Sequence, residues 1–156
     1  MGGLKKTSGL ALALVRRGLL ILVSLTFAAC SDSDYELSPP QILRLEAGCD
    51  VRQGCTGQSD GVSVAVRMTP HRTALKPFRI ELSSDANIEA VGLSLKMRGM
   101  EMGQNRYRLL RSDTGAWQSE VTLPVCTSGR SDWIAILDLH TSNRLYRLSV
   151  PFTLDK

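Results

Sequence analysis

Sulfur carries the chemistry most open to this chain. The run Met97-Arg98-Gly99-Met100-Glu101-Met102-Gly103 holds three thioethers. A thioether is a soft ligand that holds Cu(I) without first losing a proton. On an extended strand Met100 and Met102 point the same way, so their sulfurs can converge on one ion. Met97 instead continues an apolar stripe through Val91, Leu93 and Leu95 and reads as core. Methionine also fills irregular gaps, and Gly99 and Gly103 mark a turn, so packing stands ahead of copper as the reading of Met100 and Met102. Neither histidine lies within the run. His71 or His140 completes a ligand set only if the fold carries it to the methionines. His71 follows Pro70 in a turn and His140 ends a strand, positions that favour solvent.

The chain has four cysteines, and Cys30 differs from the rest. It closes an apolar run, residues 18–29, that begins after Arg16 and Arg17. A positive flank, an apolar stretch and small residues before the cut are the parts of an export signal. The run is too short to cross a bilayer, which takes about 20 apolar residues. The Phe27-Ala28-Ala29-Cys30 junction resembles the lipobox of bacterial lipoproteins, whose cysteine thiol receives diacylglycerol; Phe27 stands where leucine is usual. Val15 and Gly18 are poor neighbours for a twin-arginine motif, so Arg16 and Arg17 read as an ordinary positive flank. The expectation is a lipoprotein signal peptide with a signal helix over 1–29, then a lipidated cysteine and flexible tether over 30–40. That tether is acidic, serine-rich and ends in Pro39-Pro40. A single β domain follows over 41–156. The protein is then membrane-tethered and faces the periplasm. Ser31 in place of an aspartate points to the outer rather than the inner membrane in a cell with two.

Outside the cytoplasm thiols oxidise. Cys49, Cys55 and Cys126 make one disulfide and one leftover thiol, with three pairings open. Cys49 and Cys55 flank Asp50-Val51-Arg52-Gln53-Gly54, a loop that closes easily, and the reading inclines to that pair. Pairing either with Cys126 clips a longer loop, worth roughly 4 kcal/mol in the chain-entropy account. Cys126 lies in a loop over 124–129. Taken by itself it reads as a structural disulfide in preference to a free thiol acting as soft ligand or redox group.

Charge excludes one class of partner. The chain has 19 basic and 15 acidic residues, but Lys5, Lys6, Arg16 and Arg17 precede Cys30 with no acid among them. Removing those four leaves 15 of each sign, so no nucleic acid or other polyanion is indicated. Two distant histidines, no phosphate-cradling glycine loop, no zinc-type cysteine pairs and no nucleophile elbow leave catalysis without machinery. The chain reads as no enzyme.

The elements that must position these residues are strands, because hydrophobicity beyond residue 40 repeats every second residue. Val62, Val64, Val66 and Met68 form one stripe; Phe78, Ile80 and Leu82 a second; Val91, Leu93, Leu95 and Met97 a third. Tyr107 and Leu109 suggest a fourth strand, residues 117–123 a fifth, and residues 41–45 precede them all. Residues 133–137 are apolar on both phases, as in a central strand covered on each side. Tyr146, Leu148, Val150 and Phe152 make the last stripe, where Pro151 indicates an edge or strand end. About seven to eight short strands at this spacing predict an all-β domain, an immunoglobulin-like antiparallel β-sandwich.

Parts of this pattern resemble known domains. The segments Pro77-Phe78-Arg79-Ile80-Glu81-Leu82, Met97 to Gly103, Gly115-Ala116-Trp117 and Trp133-Ile134-Ala135-Ile136 are similar to YtkA-like and FixH-like periplasmic domains. Met100 to Arg106 and Leu123 to Cys126 also look like segments of certain proteobacterial lipoproteins. The resemblance implies an immunoglobulin-like sandwich and an association with copper or cytochrome oxidase assembly. Two functions are expected from the whole. The first is a lipid-anchored, non-catalytic binding or assembly module with an envelope protein partner. The alternative is a periplasmic copper-handling protein that binds Cu(I) through Met100 and Met102 with His71 or His140.

Overall fold

One side chain in two turns inward along almost every strand, and this alternation sets the architecture. The computed structural model describes residues 38–100, 103 and 105–155. The expected signal peptide and Cys30, together with Met102, lie outside the described residues. Nine strands follow in order: β1 (Gln41–Leu45), β2 (Cys55–Ser59), β3 (Val62–Met68), β4 (Phe78–Ser84), β5 (Ala90–Lys96), β6 (Arg106–Arg111), β7 (Trp117–Val121), β8 (Asp132–His140) and β9 (Leu145–Thr153). The domain is all-β, with no helix among the described residues.

The strands close into a barrel in the order β1-β2-β3-β4-β7-β6-β5-β8-β9. Neighbours are antiparallel except β1 and β9, which meet in parallel. Closure depends on two strands that change partners halfway. Gln41, Ile42 and Leu43 pair with Tyr146, Arg147 and Leu148 of β9, whereas Arg44 and Leu45 pair with Gln58 and Gly57 of β2. On the opposite side, Arg106 and Leu109 pair with Ser94 and Val91 of β5, whereas Leu110 and Arg111 pair with Gln118 and Trp117 of β7. Strands that switch sheets make the corners of such folds. The count is thus nine against the expected seven to eight, and the sheet closes where an immunoglobulin-like sandwich keeps open edges.

The extra strand is β2, whose sequence Cys-Thr-Gly-Gln-Ser shows no apolar stripe. Its inward positions are Cys55 and Gly57, small because the opposite wall stands close. A Cβ on Gly57 would lie 2.5 Å from Leu148 Cδ1. The core that fills the rest is built from Met68, Ile80, Leu93, Leu95, Trp133 and Leu137, all enclosed. Phe78 and Phe152 add an edge-to-face contact with ring centres 6.1 Å apart.

Cys49 and Cys55 form the disulfide, with Cα atoms 5.1 Å apart, and clip the β1–β2 connection. This is the pairing towards which the loop sequence inclines. Cys126 remains a thiol, which corrects its reading as a structural disulfide. A second clip has no signal in the hydrophobic pattern. Arg72, next to His71 in the β3–β4 connection, is 4% exposed. Its Nη1 donates to the Thr69 carbonyl at 3.1 Å and its Nη2 to the Thr153 carbonyl at 3.3 Å. The Arg72 amide donates to Asp155 Oδ2 at 3.0 Å, and the Asp155 amide returns to the Arg72 carbonyl at 2.6 Å. The two ends of the domain's sequence are thereby held by different means: β1 by strand pairing and the residues after β9 by a buried guanidinium.

Overpacking a rigid interior costs roughly 1–3 kcal/mol. Gly57→Val drives a branched side chain into Leu148, so its unfolding free energy, read from the urea midpoint at an unchanged slope, should fall by that amount, while Gly92→Ala, whose Cβ keeps 3.9 Å from the nearest atoms, should be milder. Equal midpoints for the two variants would contradict the close approach of β2 and β9.

Candidate functional site

Two loops at one end of the barrel bring sulfur to sulfur. After β5 the chain turns at Met97 and Met100, which form an isolated antiparallel bridge around Gly99 at φ 68°. Met97 is buried at 2% exposure, as its place in the apolar stripe requires. Met100 is half-buried against the core. The other loop lies between β7 and β8, where the Gly129 amide donates to the Cys126 carbonyl at 3.0 Å. Arg130 ties the loops together: its Nη1 donates to the Arg98 carbonyl at 3.1 Å while its Nε donates to Asp132 Oδ1 at 2.8 Å.

Cys126 Sγ stands 3.4 Å from Met100 Sδ and 3.0 Å from Ser128 Oγ. The Ser128 hydroxyl and amide hold the Cys126 thiol below the usual thiol range, against the opposing effect of burial, and the Arg130 amide and charge add to the shift. The site therefore offers a thiol inclined to ionise beside a neutral thioether. Such a pair is two soft donors, one of which binds a metal only after losing its proton.

The structure brings together a different pair of side chains from those singled out in the sequence. Met100 gains Cys126, not a histidine. His140 is exposed at the far end of β8, paired with Ala90, whereas Lys96 at the Met97 end of β5 pairs with Ile134. Six residues separate those levels, about 20 Å along a strand. His71 is exposed, and neither imidazole makes a hydrogen bond or ion pair among the described residues. Among the described residues no group of three or more His, Cys, Asp or Glu side chains gathers as a metal site. The Met100–Cys126 meeting could not be read from spacing, because 26 residues and two strands, β6 and β7, separate the two.

Next to the methionine turn an open groove of about 840 Å³ runs over the outer face of β5 and β8. Its floor includes Ile134 and Ile136, half-buried where the sequence suggested a strand covered on both sides. Lys96, Arg98 and Arg106 line it, and Arg147 grips Asp138 through paired contacts at 2.6 and 2.8 Å.

Replacing Ser128 by Ala removes a donor that favours the thiolate. The Cys126 ionisation midpoint, followed by thiolate ultraviolet absorbance against pH, should then move upward. A midpoint that stays put or falls would show that Ser128 does not set the thiol.

No family model, curated protein or solved structure matches this chain, so the chemistry of the site rests on its own residues.

Proposed function

We propose that this chain is a lipid-anchored envelope lipoprotein whose barrel acts as a non-catalytic binding or assembly module for a protein partner. The observation that carries the reading is the Phe27-Ala28-Ala29-Cys30 junction behind a positively flanked apolar run. A barrel clipped by the Cys49–Cys55 disulfide suits an oxidising compartment. The outer membrane is the proposed address where two membranes exist, and the immunoglobulin-like relation is kept as a proposal, with β1 and β6 as corners joining two facing sheets. Two measurements test the reading. Intact mass of membrane-extracted protein should show a chain starting at Cys30 with diacylglycerol and acyl additions, and Cys30→Ser should abolish them. A photo-reactive residue on the outer barrel surface should crosslink an envelope protein in living cells. An unprocessed start with a bare thiol removes the anchor, and no crosslink from any face removes the partner.

A second reading is favoured by one distance, the 3.4 Å between Cys126 Sγ and Met100 Sδ. In it the barrel handles Cu(I), as the resemblance to YtkA-like and FixH-like domains implies, but with Cys126 and Met100 as donors in place of His71 and His140. The Cys126 thiol gives its proton to solvent as the Cu–S bond forms, and Met100 donates a sulfur lone pair; oxidation states do not change. Because the thiol must ionise, affinity should rise with pH until the thiolate is fully formed. Titration of Cu(I) against a competing chelator should show at least about tenfold weaker binding for Cys126→Ser and for Met100→Leu, about 1.4 kcal/mol each. Binding that survives both changes removes these donors, and no binding by the unchanged protein removes the copper reading.

A further inference from the structure

A mature chain of equal positive and negative count need not be neutral everywhere. Three of its 15 acids, Asp32, Asp34 and Glu36, precede residue 38, leaving 12 acids for the 15 basic residues over 38–156. That excess gathers on one wall. Lys96, Arg98, Arg106 and Arg147 line the groove on the outer face, with Asp138 as the acid among the described lining residues, and Arg147 already occupies it. Arg98 lies within electrostatic reach of Asp132. Lys96 and Arg106 form no ion pair among the described residues, and neither does Arg108, two residues along β6 on the same face. The wall formed by β3, β4 and β7 differs: there Arg67 and Arg79 both reach Glu81, and Arg79 stands opposite Glu120.

From this arrangement we infer that the groove is the docking surface for an acidic segment of a partner polypeptide, lying extended along β5 and β6. The inference rests on the binding-module reading and names the partner's chemistry. Arg106 and Arg108 repeat every second residue, about 7 Å apart, which is also the spacing of like-facing side chains on an extended chain. Carboxylates at alternate positions of such a segment meet these cations in turn, while Ile134 and Ile136, at the same repeat on β8, receive an apolar side chain between them. The surface is concave and its cations are strung in a row. A flat bilayer does not reach the floor of a groove, and a single phosphate uses convergent rather than serial charges.

The test uses the full chain in neutral detergent and a synthetic peptide of alternating glutamate and threonine as probe. It should bind, and weaken at about 0.5 M salt, where the screening length is about 4 Å. Lys96→Glu with Arg106→Glu and Arg108→Glu should weaken it by about tenfold or more, whereas Lys76→Glu with Arg79→Glu elsewhere on the barrel should not. All five positions are exposed, and circular dichroism checks that each variant keeps its strands. Equal binding of a glutamine–threonine peptide overturns the proposal. So does binding of phosphatidylglycerol vesicles through these residues without peptide binding, which makes the surface a membrane contact. Peptide binding that appears only in Asp32→Asn/Asp34→Asn/Glu36→Gln overturns it as well, since the chain's own tether is then the occupant. No peptide binding at all by a folded barrel removes the groove as the docking surface while in-cell crosslinking from another face still upholds a partner.

Discussion

Closure of the barrel depends on β1 and β6, each of which spends half its length in one sheet and half in the next. Without that change of partner, two sheets would face each other across the core with unpaired edges. Unpaired edges invite further strands, and full closure is the one arrangement that removes them. It also narrows the interior at the seam. Gly57 is the consequence: even a methyl group there would force the buried Leu148 side chain to move. Sequence, closure and packing are connected at this point by a residue that contributes no side chain.

The hydrophobic alternation made most of the wall legible. The stripes of β3, β4, β5, β8 and β9 contain the residues that fill the core, and Pro151 falls beyond the part of β9 that pairs with β1, where a missing amide is harmless. β2 was illegible because its inward residues are a cysteine and a glycine, which carry no period-two signal. The apolar outer phase of β8 was legible but suggested cover on both sides; Ile134 and Ile136 instead floor an open groove. Arg72 could not be found by pattern at all, since a buried cation in a connection looks like any loop arginine until its carbonyl partners are known.

The sulfur site shows a different limit. Spacing identifies neighbours along the chain, so it drew attention to Met100 and Met102, but a ligand set is assembled across loops. The Cys49–Cys55 bridge leaves Cys126 unpaired, and the β7–β8 loop then delivers it to Met100. Ser128, two residues on, adjusts the acidity of the thiol that the loop presents. The cationic wall was hidden in the same way by a sum: equal totals concealed that the positive side chains share a face.

The parallel seam of β1 with β9 has a bearing on how the chain is made. The first strand of the barrel finds its last neighbour only when more than a hundred further residues have emerged, and such distant pairings form slowly. Until then the outer half of β1 is an exposed edge on a partly assembled sheet, the kind of surface that recruits stray chains. Synthesis from the N-terminus prolongs that interval, so the unfinished barrel calls for a holding factor or for assembly that outpaces encounters with other unfinished molecules.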